Sequence, residues 1–290
     1  MSVDLLITQR SFIKKALPLE VILGDELRYG AMETGCRLNM DVLGDGEFVA
    51  YLPQHIGRGI SVEWKKGEKQ QVALRMLSPT CSEEVDAFYR IVQRIAGVWK
   101  CDVEMDGNPM SVKEFLATRE EIQKFNIDTI KGMFKRIVEE DGGATTIFSA
   151  MWPMVVGKQE AECFLKEPEA FGPWLHEKQV QDLYYAVPLF YRDEQSGVIG
   201  RYAISEDVDS IIPVEPHVPF GVIDPDTGKM LECSNYMAAF YSHTYDRVIG
   251  EVPYERFMDV VPKAKISRYD GGSYVMKGLT LEELESILES

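Results

Sequence analysis

Closely spaced cysteines, histidines, basic clusters and long apolar runs are all scarce in this chain. Its five cysteines, Cys36, Cys81, Cys101, Cys163 and Cys233, are odd in number and separated by 45, 20, 62 and 70 residues. No pair has the two-residue gap of a zinc knuckle or a redox motif, and single thiols of this kind suit a reducing compartment. The apolar stretch YYAVPLFY (184–191) has eight residues, against roughly 20 for a membrane span. The opening MSVDLLITQRSF holds only the short stretch VDLLI, interrupted by Asp4, so a secretory leader is not expected. The expected location is the cytoplasm. Lys and Arg number 31 against 47 Asp and Glu, for a formal net charge of −16. The basic residues come in twos, as in Lys14-Lys15, Lys65-Lys66 and Lys135-Arg136, each near acids. Nucleic-acid binding needs clustered cations, so it is not expected. An anionic membrane surface is disfavoured for the same reason. A basic protein, by contrast, would be drawn in by the long-range field. Cofactor motifs are also missing. VVGKQE (155–160) lacks the upstream glycine and following hydroxyl of a phosphate loop, and there is no Gly-x-Ser-x-Gly elbow.

The residues that are present describe a folded protein. At 290 residues and 45% hydrophobic, the chain can bury about 75% of its unfolded surface. Strands are expected at VDLLI (3–7), EFVAYL (47–52), GISVEW (59–64) and QVALRML (71–77), the last two flanking the polar loop KKGEK. A short helix is expected somewhere within LPLEVILGDELRYGAMETG (17–35). In SPTCSEEVDAFYRIVQRIAG (78–97), Thr80 and Glu83 have capping-box spacing. Val85, Phe88, Tyr89, Val92, Ile95 and Ala96 form one apolar helical face, and Gly97 suits a left-handed stop. Ser111 and Glu114 repeat the capping box, with helices expected over 112–126 and 127–140, the second ended by the glycines of EEDGG. ATTIFSAMWPMVV (144–156) reads as strand. Three hairpins follow: LYYAVPLFY with GVIGRYAIS, PFGVI with KMLEC, and AKISRY with SYVMKG. Thr280 and Glu283 cap a final helix.

Strands and helices are segregated within each half, which argues for α+β architecture. The expected fold has antiparallel sheets built from hairpins, with amphipathic helices packed on one side. A boundary near Gly142–Ala144 would divide an N-terminal lobe, 1–143 with helices 81–97, 112–126 and 127–140, from a C-terminal lobe, 144–290. One single domain is the alternative. The segments MSVDLLI, LSPTCSEEVDAFYRIVQRIA and DGNPMSVKEF resemble a bacterial family known as a domain of unknown function, whose members are about this long. The resemblance covers the whole chain. It implies a bacterial cytoplasmic protein and carries no catalytic residues with it.

Several residues invite a chemical reading. LECSNYMAAFYSHTYD (231–246) places Cys233 and His243 ten residues apart. A helix from Ser234 or Asn235 would set them about 15 Å apart along its axis, too far for a nucleophile pair. If the stretch is not helical, the pair stays open. His217, Cys233 and His243, with His176 as a fourth ligand, offer zinc-type donors, but no two are close in sequence, so no metal is expected. In FGVIDPDTGK (220–229), Asp224 and Asp226 resemble the start of a haloacid dehalogenase phosphotransferase motif, but the hydroxyl offset is wrong. Pro225, Asp226 and Gly228 instead read as a turn. Tyr184, Tyr185, Phe190 and Tyr191 read as a strand buried on both faces or, alternatively, as a binding patch. The expectation is a non-enzymatic, cofactor-free protein acting through protein–protein contact with a basic partner, of which an immunity-type inhibitor is one form. The alternative is a hydrolase of unfamiliar type using dispersed Asp224, Asp226, His217 and His243.

Overall fold

The computed structural model describes residues 1–139, 143–193 and 197–290, and for Asp193 the backbone alone. It is an α+β protein. The expected boundary at Gly142–Ala144 and the glycine stop in EEDGG fall partly outside the described residues. By contact, the chain forms two compact units. The first comprises Met1–Glu33, Arg37–Pro153 and Gly157–Val180; the second comprises Thr34–Cys36, Met154–Val156 and Gln181–Ser290.

In the first unit, β1 (Ser2–Gln9), β2 (Arg28–Met32), β3 (Leu38–Met40), β4 (Glu47–Tyr51), β5 (Ile60–Glu63), β6 (Gln71–Leu77), β7 (Cys101–Met105) and β8 (Asn108–Met110) make one antiparallel sheet. Their order is β3-β2-β4-β5-β6-β1-β7-β8. Period-two alternation sends Val3, Leu5, Ile7, Ile60, Val62, Val72, Leu74 and Met76 to one face. There they meet α1 (Leu19–Leu23) and α2 (Ser82–Val98), whose Val85, Phe88, Ile91, Val92 and Ile95 are fully buried. Thr80 does not cap α2. Cys81 occupies the cap position without a side-chain hydrogen bond. Thr80 instead donates its hydroxyl at 2.5 Å to buried Glu84, which also accepts the Arg58 and Gly59 amides at 3.1 and 2.8 Å. Burial raises the Glu84 pKa despite these donors. A Cβ on Gly57 would lie 2.6 Å from the Glu84 carboxylate, so only glycine fits there. Nor does Gly97 stop the helix. α2 runs through it to Trp99, whose indole is buried and donates to the Lys15 carbonyl at 2.8 Å.

Ser111 does form its capping box with Glu114, starting α3 (Val112–Ala117). The next helix, α4 (Arg119–Glu139), begins at Arg119, so the helical break lies at Thr118 and not at 126/127. Phe115 is buried in the first core and Thr118 hydrogen-bonds Tyr89, which pins the corner there. Asn126 is a mid-helix tether: its side chain bonds the backbone N–H and C=O of Thr80, both at 2.8 Å. β9 (Thr145–Phe148), β10 (Pro153–Val156), α5 (Lys158–Lys166) and α6 (Phe171–Gln179) follow. Phe134, Phe164, Phe171 and Trp174 pack their rings together between α4, α5 and α6.

The second unit holds β11 (Tyr184–Tyr185), β12 (Leu189–Asp193), β13 (Gly197–Ser205), β14 (Ser210–Pro213), β15 (Asn235–Ser242), β16 (Arg247–Pro253), α7 (Tyr254–Val260), β17 (Ile266–Arg268), β18 (Ser273–Met276) and α8 (Leu281–Glu289). They form two four-stranded sheets, β11-β14-β18-β17 and β12-β13-β15-β16. Two pairings, β11 with β14 and β13 with β15, are parallel; the other pairings within these two sheets are antiparallel. Tyr202, Ile204, Ala238, Phe240 and Val252 face inward onto Tyr254, Phe257, Leu284 and Ile287. YYAVPLFY is therefore not one doubly buried strand. It is divided between the two sheets at Ala186–Pro188, and Leu189 and Tyr191 face solvent. The expected PFGVI–KMLEC hairpin reduces to a single bridge, Ile223 to Met230. The 231–246 stretch is not helical. β15 pairs with β13 and β16 over its whole length, and tertiary pairing overrides its helix-like spacing.

Candidate functional site

β15 separates Cys233 from His243. Its eight residues at roughly 3.3 Å each set the two side chains more than about 20 Å apart, and no dyad can form. The Cys233 thiol donates to the Val198 and Asn235 carbonyls at 3.4 and 3.2 Å. His243 stands in the β15–β16 turn with its ring edge-on to Tyr241. His217 sits beside the Glu215 carbonyl at 3.1 Å, and His176 accepts the Ile56 amide at 3.2 Å. Asp224 and Asp226 do meet, but around a cation already in the chain: Arg192 reaches them at 2.8 and 3.1 Å. The Asp226 amide, the Thr227 hydroxyl and Arg192 together hold the Asp224 carboxyl below the usual range. Among the described residues, no three His, Cys, Asp or Glu side chains are grouped to hold a metal.

Of the four aromatic candidates, Tyr184 packs against the second core. Burial pushes the Tyr185 hydroxyl well above its ordinary pKa. Phe190 turns inward, where a Cβ on Gly200 would meet its ring at 3.2 Å. Tyr191 alone lies open, 47% exposed.

An open polar surface lies on the other face of the eight-stranded sheet over β5, β6, β1 and β7, whereas at β4 Val49 and Tyr51 on that face are buried. Helices cover one side of that sheet. Residues of opposite parity point away from them: Asp4, Leu6 and Thr8 from β1, Ser61 and Glu63 from β5, Ala73 and Arg75 from β6, Asp102 and Glu104 from β7. Two shallow depressions of about 250 and 510 Å³ lie along it. Their linings contribute six carboxylates, Asp4, Glu47, Glu63, Asp102, Glu104 and Asp106, against two guanidiniums, Arg10 and Arg75. Arg75 pairs with Asp4 and Arg10 with Asp102. Burial works to raise the Asp4 pKa, but the bonds from Arg75 and Ser2 outweigh it and the net shift is downward. Glu47 and Glu63 stand directly opposite each other across β4 and β5, a like-charge pairing that destabilises the free sheet. A bound cationic group would relieve it.

These carboxylates were readable only as strand positions. EFVAYL, GISVEW and CDVEM each carry an acid at an outward position, but no spacing marks them as belonging to one surface. A second feature that sequence reasoning missed is a cleft of about 510 Å³ lined by Asp25, Glu26, Arg28, His55, Glu83 and Arg90, among others. His55 lies 3.7 Å from the Glu83 carboxylate. Glu26 is committed to Arg90 and Arg94, and Asp86 to Arg119. The cleft is thus largely charge-balanced.

A family profile described as Domain of unknown function (DUF4299) matches residues 2–287. Comparison with curated proteins found no match, and neither did comparison with solved structures.

Proposed function

Since the chain belongs to the DUF4299 family over nearly its whole length, a family of unknown function, we propose that it acts through protein–protein contact, with a basic protein docking on the open face of the eight-stranded sheet. One observation carries this reading. The part of that face over β5, β6, β1 and β7, open among the described residues, is lined by six carboxylates against two guanidiniums, and two of those carboxylates, Glu47 and Glu63, oppose each other directly. Lys and Arg side chains of a partner would neutralise the surplus, and the field of a −16 chain would speed their encounter. An inhibitor that neutralises a basic toxin is one form such a protein takes. No catalytic chemistry is needed on this reading.

The test is capture followed by measurement. The protein is immobilised and exposed to a lysate of its source organism at low salt, and bound species are eluted with high salt and identified. The identified partner is then titrated calorimetrically against wild type and against the triple variant Glu47→Lys, Glu63→Lys, Glu104→Lys. A basic partner whose affinity falls at least about tenfold in the variant, roughly 1.4 kcal/mol, supports the reading. Clean capture, or a partner bound equally well by the variant, overturns it.

A further inference from the structure

Among the described residues, nothing covers one face of the β12-β13-β15-β16 sheet of the second unit. Its inner face is closed by α7 and α8. On its outer face Leu189, Tyr191 and Val248 are 60%, 47% and 58% exposed. Single exposed apolar residues need no explanation, but these share one sheet face with half-buried Met237 and Tyr241 between them, and an aligned patch marks a contact surface.

The charge on this face separates it from the acidic surface of the first unit. Arg201 and Glu251 meet over the middle strand β15 in a two-point pair of 2.6 and 3.2 Å. The same guanidinium stacks on the Tyr191 ring, 4.6 Å from its centroid. The centre of the face therefore carries two charges that cancel. A basic partner gains nothing there. Two copies of a −16 chain repel each other at most approaches, and a self-neutralised face is where that repulsion is weakest. Ala203 and Ala239, paired across β13 and β15, leave the middle of the face low between larger side chains. Another sheet can settle against such a surface at about 10 Å.

We infer that this face is where two copies of the chain associate. Leu189 stands level with Met237 and Val248 level with Tyr241, four residues or about 13 Å further along β15, so a twofold axis that runs between the faces diagonally to the strands lays Leu189 of one copy over Val248 of the other twice, as an isologous contact requires. Four strands about 4.8 Å apart and up to nine residues long cover roughly 500 Å² per copy, at the small end for a specific interface. The dimer is accordingly weak, with micromolar dissociation.

Sedimentation velocity across the micromolar range tests this. Wild type is expected to pass from monomer to dimer with rising concentration, and added salt is expected to leave the dimer intact or tighten it. The double variant Leu189→Asp, Val248→Asp is expected to stay monomeric with an unchanged circular dichroism spectrum. Hydroxyl-radical footprinting of wild type gives an independent reading: Tyr191, Met237 and Tyr241 should lose reactivity as concentration rises. A wild type that is monomeric throughout, a dimer that survives the double variant, or concentration-independent footprints would each overturn the inference.

Discussion

The Glu206 carboxylate accepts the Thr244 amide at 3.0 Å and the Ser242 and Thr244 hydroxyls, both at 2.7 Å. Led by the Thr244 amide, these bonds pull its pKa from 4.5 to about 2. A carboxyl depressed on folding stabilises the native state above its unfolded pKa, and that stabilisation fades as pH falls toward the folded value. Urea unfolding of wild type and Glu206→Gln should therefore differ most at neutral pH, and the gap should shrink between about pH 4.5 and 2. A gap independent of pH would mean that the carboxylate's charge is not what holds the turn. Both partners, Ser242 and Thr244, lie inside the stretch whose histidine looked reactive in sequence. The hydroxyls there hold a turn, and the aspartates 224 and 226 hold Arg192. Which polar side chains meet depends on strand pairing, so residue type alone left both roles open.

At the scale of elements, local signals succeeded where the segment needs no distant partner. Thr280 and Glu283 form the expected capping box, and α8 then places Leu284 and Ile287 in the second core. Thr280→Ala should cost about 1 kcal/mol, typical of a lost N-cap, read as a lowered urea midpoint; an unchanged midpoint would show the helix held by packing alone. Thr80 has the same spacing to Glu83 and did not cap, because buried Glu84 claims its hydroxyl. β15 is the plainest failure of local reading. Tyr236, Phe240 and His243 fit one helical face, yet the segment is the third strand of a four-stranded sheet, with Ala238 and Phe240 on the buried side. Alternation was also present in NYMAAFYS, and only the neighbouring strands decide between the two periods.

For the whole molecule, charge is the dominant global property. With 47 acids against 31 bases, self-repulsion opposes the compact state, and salt should screen it within a Debye length of ~10 Å at 0.1 M and ~3 Å at 1 M. The melting temperature should rise with sodium chloride, followed by differential scanning calorimetry; a fall would mean that ion pairs such as Arg119–Asp86 outweigh the repulsion. The sequence by itself determined the α+β class, strands β1, β4, β5 and β6 of the first sheet, two of the three expected capping boxes and the acidic balance, since propensity, period and net charge are local or additive. Only the tertiary structure decided where the acids collect, that Tyr191 faces out while Phe190 faces in, and that Arg201 and Glu251 cancel over β15. The physical reason is that a surface is assembled from strands distant in the chain. Its composition follows from register and parity, and neither is specified until the strands have paired.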